Sequence, residues 1–178
     1  NGIDVQHLCW YCGQDNVSVP MKKTNHNNAL HEGFFNAKYS DMMKFTFMWE
    51  NSGVNCKSLE QFKEYIWKYW MDYYFLDDRF YTIDNKIVIT VWSKANFKTA
   101  FGGTYEGCKE AVVWMNEDAK ANGFDGVMIF FADGHATDSA SFKDMAAMGG
   151  TAAYAYHWQQ DGIKANTTIP GLQKNQDY

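Results

Sequence analysis

The chain has 178 residues, of which 46% are hydrophobic and 17% aromatic, and this length and composition suit one globular domain with a sizeable core. Its net charge of -5 offers no basic surface for a phosphate backbone, so we expect no nucleic-acid partner. No apolar run reaches the roughly 20 residues that cross a bilayer, so we expect no membrane span. The seven Trp, eleven Tyr and thirteen Phe exceed the needs of a core of this size, and such a surplus typically lines a binding site.

Strand and helix patterns alternate from the N-terminus onward. The apolar run Val5–Tyr11 predicts the first strand, and a polar loop and a helix over residues 27–37 follow. Residues 45–49 predict the second strand, because their near-continuous apolar side chains are typical of a strand covered on both faces. The next helix opens with a capping box of Ser58 and Gln61. Its apolar side chains recur at helical spacing: Leu59, Phe62, Ile66, Tyr69 and Tyr73.

The second half of the chain continues the same alternation. The predicted elements are, in order, a turn at Asp84 and Asn85, strand 87–92, helix 104–122 with Gly123 as its stop, strand 126–131, a short helix from Asp138 or Ser139 to Met148, and strand 151–156. The residues from Gln159 to Tyr178 are polar and predict a loop. The pattern indicates an α/β fold with parallel strands, since strands that alternate with helices pair in parallel.

Two parallel architectures fit this alternation, the doubly wound sheet and the (β/α)8 TIM-type barrel. No glycine-rich phosphate-binding turn follows any predicted strand, which disfavours a nucleotide-binding doubly wound domain. A barrel typically needs about 250 residues, so we predict that residues 1–178 form a single α/β domain that is a segment of a barrel in a longer parent protein. The missing part would be supplied by that parent or by another chain that completes the barrel.

Aromatic and polar side chains stand at the predicted strand ends, where barrel enzymes build their active sites. Aromatic faces pack on the apolar side of a sugar ring, and carboxylate and amide groups bind hydroxyls. The candidate substrate-binding residues are Trp10, Tyr11, Trp49, Glu50, Asn51, Trp92, Lys94, Asp133, Tyr156, His157 and Trp158. Alternative roles stay open: the large aromatics as core residues, Glu50 as a salt-bridged loop residue, and His157 as a structural side chain.

The four cysteines do not predict a cofactor or a metal. Cys9 and Cys12 have the C-x-x-C spacing, but a loop sequence follows them instead of a helix start. Cys56 and Cys108 stand alone in the sequence, so a zinc site lacks its other two ligands. We therefore expect neither a metal nor another cofactor.

Several segments resemble one known family. They are Gly2-Ile3-Asp4 with Cys9-Trp10-Tyr11, the run Lys44 to Asn51, the stretch from Tyr73 through Tyr81 to Ile89, residues 119–129 with Gly123-Phe124-Asp125-Gly126, and residues 150–158. Together they resemble the WbsX-like proteins related to glycoside hydrolase family 99. The resemblance covers most of the chain.

This resemblance implies a (β/α)8 barrel that acts on polysaccharide, and family 99 itself resembles an endo-acting, retaining mannosidase that works without a metal. It also implies a bacterial protein with a periplasmic or surface location. The family's catalytic carboxylates lie in a later Asn-Glu-Trp-x-Glu segment, which is absent before Tyr178. We therefore expect a glycan-active protein whose catalytic residues lie outside this chain. The alternatives are a non-catalytic carbohydrate-binding module and a sugar transferase of polysaccharide biosynthesis.

Overall fold

A computed structural model describes residues 3–12, 28–52, 56–133 and 139–154. Its strands are β1 (Val5–Tyr11), β2 (Lys44–Glu50), β3 (Thr82–Ile83), β4 (Lys86–Val91), β5 (Val127–Ala132) and β6 (Ala152–Tyr154). The five predicted strands correspond to all of these except the short β3. The last two residues of the predicted strand 151–156 lie outside the described residues.

Among the described residues, five helical segments connect the strands. They are α1 (Ala29–Phe34), α2 (residues 59–75), α3 (Lys94–Ala100), α4 (Tyr105–Ala121) and α5 (Ser139–Ala147). The segment α1 is π-helical, and α2 alternates α-helical and π-helical turns, while Ser40–Met42 forms one 3₁₀ turn. The side-chain oxygens of Ser58, Ser93 and Thr104 each accept a hydrogen bond from the backbone N–H three residues later, in the first turns of α2, α3 and α4, respectively, which fixes where these helices begin.

The sheet is mostly parallel, and its long strands follow one another in chain order, β1-β2-β4-β5-β6. The short β3 pairs antiparallel with the start of β4, across a turn in which Asp84 and Asn85 both adopt positive φ, as a tight hairpin requires. The predicted α/β class with parallel strand-helix repeats is thus confirmed. Because parallel crossovers are right-handed, strands in sequential order place their connecting helices on one face of the sheet.

One face of the sheet packs against the helices and forms the main core. Side chains from alternate positions of three central strands reach this core, and each is under 9% exposed. They are Phe45, Phe47 and Trp49 of β2, Ile87, Ile89 and Val91 of β4, and Val127, Ile129 and Phe131 of β5. The intervening residues point to the other face, since successive side chains of a strand alternate. Met48 and Val88 of that second face are buried but do not belong to the main core cluster.

The second face is concave. A flat sheet would separate β1 from β6 by four strand spacings, or about 19 Å. The rings of His7 on β1 and Tyr154 on β6 nevertheless lie 5.9 Å apart between centroids. The Nε2 atom of His7 also lies 2.8 Å from the hydroxyl oxygen of Thr90 on β4. These contacts require the sheet to curl with this face inward.

Candidate functional site

The ends of the strands decide which predicted residues can meet a ligand, because neighbouring residues there point to opposite faces. In β1, Trp10 lies on the core face and Tyr11 on the concave face. In β2, Trp49 lies on the core face and Glu50 on the concave face. Burial agrees with this alternation: Trp10 and Trp49 are 1% and 0% exposed, whereas Tyr11 and Glu50 are half-buried.

Trp49 is a core residue in this structure. Its indole packs against the rings of Phe62 and Trp70, both with centroids 5.5 Å away, and also contacts the ring of Phe97. A sugar-binding aromatic needs an open face, and Trp49 has none. The substrate contact expected of Trp49 therefore does not fit the structure, and the core alternative does.

Trp10 has the same kind of environment. Its ring meets Trp70 edge-on at 5.2 Å between centroids, and its Nε1–H donates to the hydroxyl of Tyr74 over 3.0 Å. The polar atom of a buried indole usually finds such a partner. Trp10 thus joins β1 to α2, and the structure places it away from any ligand that occupies the concave face.

Three of the predicted residues do share the concave face at the carboxyl ends of the strands. Tyr11 and Glu50 are direct neighbours in the parallel register of β1 and β2. The N–H of Trp92 donates to the carbonyl of Trp49, so Trp92 continues the alternation of β4 and lies on the face of Thr90. All three side chains are half-buried, and we call them the rim.

Asn51 holds two strand ends together. It is 1% exposed, its Nδ2 donates to the carbonyl of Ser93 and its Oδ1 accepts from the N–H of Ser93, both over 2.9 Å. With both ends of its amide engaged, Asn51 fixes the tip of β2 against the tip of β4. Its predicted role as a ligand contact is replaced in the structure by this positioning of the rim.

Lys94 and Asp133 come together as one cluster at the carboxyl end of the sheet. The Lys94 ammonium lies 3.0 Å from the Asp133 carboxylate, and the hydroxyl of Ser141 donates to that carboxylate over 2.5 Å. Lys94 also contacts Ser141 directly. The cluster connects α3, β5 and α5, and the positive charge of Lys94 is matched within the protein.

A polar row crosses the middle of the concave face, and sequence reasoning missed it. It consists of His7 on β1, Thr90 on β4 and Tyr154 on β6. Partial burial of the ring against its neighbours lowers the pKa of the His7 imidazole and favours its neutral form, although the residue as a whole stays exposed to solvent. The available signal was a polar residue inside an otherwise apolar strand, such as Thr90 in residues 87–91.

The cysteines are not arranged for redox or metal chemistry in the described part of the chain. All four are free thiols, and burial raises the pKa of Cys12 and of Cys56 to about 12. The thiolates that react or bind metal are thus disfavoured. The described residues contain no group of three or more side chains suited to hold a metal ion.

Three predicted contacts, Tyr156, His157 and Trp158, lie outside the described residues. Within the described residues, no helix combines the length and the apolar character needed to cross a bilayer.

The fold and the rim define an α/β protein with a curved, mostly parallel sheet and a half-buried aromatic and acidic surface at its carboxyl edge. No protein-family model, curated protein or solved structure matches the chain. The resemblance to the WbsX-like proteins therefore stays a prediction that rests on the motifs of the chain.

Proposed function

We propose that the chain is a segment of a (β/α)8 barrel that binds a glycan at the rim. The observation that carries this proposal is the polar row of His7, Thr90 and Tyr154. These residues belong to the first, third and fifth parallel strands of the sheet. Interior layers of a (β/α)8 barrel are built from alternate strands in this way.

The sequential strand order supports the same architecture. A doubly wound sheet reverses its strand order at the point where its ligand binds. The long strands described here, from β1 to β6, follow the chain without a reversal. In a barrel of this kind, the carboxyl ends of the strands surround the active site, and Tyr11, Glu50 and Trp92 stand at those ends.

The chemistry of the rim suits a carbohydrate. Tyr11 and Trp92 supply flat aromatic surfaces, and the Glu50 carboxylate accepts hydrogen bonds from hydroxyl groups. A nucleotide-dependent sugar transferase would need a cation or a glycine-rich turn for the diphosphate. The strand-end cation Lys94 is instead paired with Asp133, and this pairing favours a glycan over a sugar nucleotide.

The reaction class follows from the family resemblance and is a retaining glycoside hydrolysis. Retaining enzymes place two carboxyl groups about 5 to 5.5 Å apart. Among the described residues, the carboxylates at the carboxyl ends of the strands are Glu50 and Asp133, and Asp133 is held by Lys94 and Ser141. We therefore assign Glu50 to substrate binding and place the catalytic pair outside the described residues. The same observation favours the second candidate, a carbohydrate-binding module without catalysis.

The test is calorimetric titration of the folded chain with α-mannotetraose, the sugar class that the resemblance implies. Trp92→Ala should weaken binding about 5- to 150-fold, because losing an aromatic surface costs about 1 to 3 kcal/mol. Trp114→Ala is the matched control, since Trp114 is also half-buried but packs on the helix side against Trp67. Equal affinities of a folded Trp92→Ala variant and the unchanged protein would overturn the rim as the binding site.

A further inference from the structure

We propose that His7 is a specificity residue, whose Nδ1 atom accepts a hydrogen bond from one hydroxyl group of the glycan. This inference rests on the proposed function and extends the site from the rim to the polar row beneath it. The hydrogen bonds of the row determine which nitrogen of the imidazole carries the proton.

Thr90 determines the tautomer of His7. The single hydroxyl hydrogen of Thr90 is donated to the carbonyl of Phe47 over 2.9 Å, so its oxygen is left to accept. The Nε2 atom of His7, 2.8 Å from that oxygen, must then be the donor. A neutral imidazole with its proton on Nε2 keeps a lone pair on Nδ1, and burial favours this neutral form by lowering the pKa.

The His7 ring is also held in place and remains accessible. Nε2 is fixed by Thr90, and the ring meets the ring of Tyr154 edge-on, with an interplanar angle of 64°. The His7 side chain is nevertheless exposed to solvent. Within the described residues, Nδ1 has no hydrogen-bond partner. The geometry thus offers a preoriented acceptor that costs little ordering entropy when a donor arrives.

The position of His7 suits a sugar bound at the rim. Trp92 lies two residues beyond Thr90 on the same face, or about 6.6 Å along the strand. By the strand register, Trp92 lies level with Glu50 and Tyr11, four residues beyond His7 on β1. We therefore place one ring of an oligosaccharide on the Trp92 indole, with a hydroxyl group of the glycan directed down the concave face toward His7.

The polar row is suited to bind an uncharged hydrogen-bond donor of a ligand. An anion would be repelled by the Nδ1 lone pair, and the described residues lack a cluster that would hold a metal ion. A hydroxyl group is a neutral hydrogen-bond donor, and it is the ligand group that the Nδ1 lone pair of His7 recognises.

The experiment compares His7→Gln with the unchanged protein in titrations with α-mannotetraose and its monodeoxy analogues. Gln keeps a donor for Thr90 but lacks the acceptor at the Nδ1 position. If His7 only supported the structure, His7→Gln would therefore bind the sugar as tightly as the unchanged protein. We expect affinity for α-mannotetraose to fall about 2- to 12-fold, the loss of one hydrogen bond. One monodeoxy analogue should bind both proteins equally, because it lacks the hydroxyl that His7 recognises.

The role of His7 would be overturned if His7→Gln lost the same affinity for every analogue, or lost none. The rim would still stand as the binding site if Trp92→Ala weakened binding. Absence of binding by the unchanged protein would instead overturn the proposed function. If His7→Gln fails to fold, ¹⁵N NMR of the imidazole in the unchanged protein decides. The Nδ1 resonance should shift when α-mannotetraose saturates the protein, and an unmoved resonance contradicts the proposal. Gln6→Ala, an exposed position on the opposite face of β1, is the control for disturbance of the strand.

Discussion

Replacing Trp49 by Ala should destabilise the fold strongly, because Trp49 lies wholly inside the core. Removing a buried Trp side chain costs about 3 to 5 kcal/mol. The indole is 0% exposed and contacts the rings of Phe62, Trp70 and Phe97. Each aromatic pair adds about 0.5 to 1.5 kcal/mol beyond area burial, so the loss should fall at the upper end of that range. Small domains are stable by about 5 to 15 kcal/mol in total.

Urea unfolding followed by far-UV circular dichroism measures this effect. Trp49→Phe keeps an aromatic ring and should lose less stability than Trp49→Ala. It should also leave the affinity for α-mannotetraose unchanged, because Trp49 faces away from the rim. If Trp49→Ala unfolded within about 1 kcal/mol of the unchanged protein, or if Trp49→Phe weakened sugar binding as Trp92→Ala does, the assignment of the two sheet faces would be refuted.

Four further outcomes are expected. Asn51→Leu should lower the free energy of unfolding by at least about 2 kcal/mol, because it leaves the N–H and carbonyl of Ser93 without partners. An unchanged free energy in urea unfolding would contradict the proposed role of Asn51. Thr46→Val should raise that free energy by about 1 kcal/mol, because it removes a buried, unpaired hydroxyl; destabilisation would reveal a missed partner. Acid should destabilise the protein through His7, because the pKa of His7 is lowered in the folded state. As the pH drops, the unfolded state therefore binds a proton before the folded state does. The free energy of unfolding should fall as pH drops from 7 through about 6.5 and below. The difference in unfolding free energy between pH 7 and pH 5 should therefore shrink in His7→Gln, and an unchanged difference would argue against a depressed pKa. The chain alone should hydrolyse no aryl glycoside or polysaccharide, because the Asn-Glu-Trp-x-Glu segment that carries the catalytic carboxylates in the resembled family is absent before Tyr178. A rate above background that Glu50→Gln abolishes would make Glu50 catalytic.

The strands and most of the helices follow from local sequence. Val5–Tyr11 has the predicted bounds, and the cap at Ser58 forms as its pattern indicates. The helix predicted over residues 104–122 begins with a cap at Thr104. The helix Lys94–Ala100 was not predicted, because its seven residues are too few for a clear apolar repeat. Its N-cap, Ser93, directly follows the predicted strand 87–92.

The side chains at the strand ends were harder to predict than the strands. Trp10 and Tyr11 carry similar aromatic chemistry, yet one lies in the core and the other on the concave face, because a single residue step reverses the side-chain direction. The sequence does not show which face the helices cover. Sheet curvature is a tertiary property as well, so the contact of His7 with Thr90, 83 residues apart, has no local signature.

Oxidative footprinting with mass spectrometry tests the binding of a glycan at the rim most directly. The folded chain is labelled with hydroxyl radicals with and without α-mannotetraose, and the oxidation of each aromatic residue is compared. We predict that the sugar protects Tyr11 and Trp92, while Tyr39, which is 61% exposed and distant in sequence from the rim, reacts equally in both samples. Unchanged oxidation of Tyr11 and Trp92 at saturating sugar, or protection confined to Trp114 on the helix side, would contradict glycan binding at the rim.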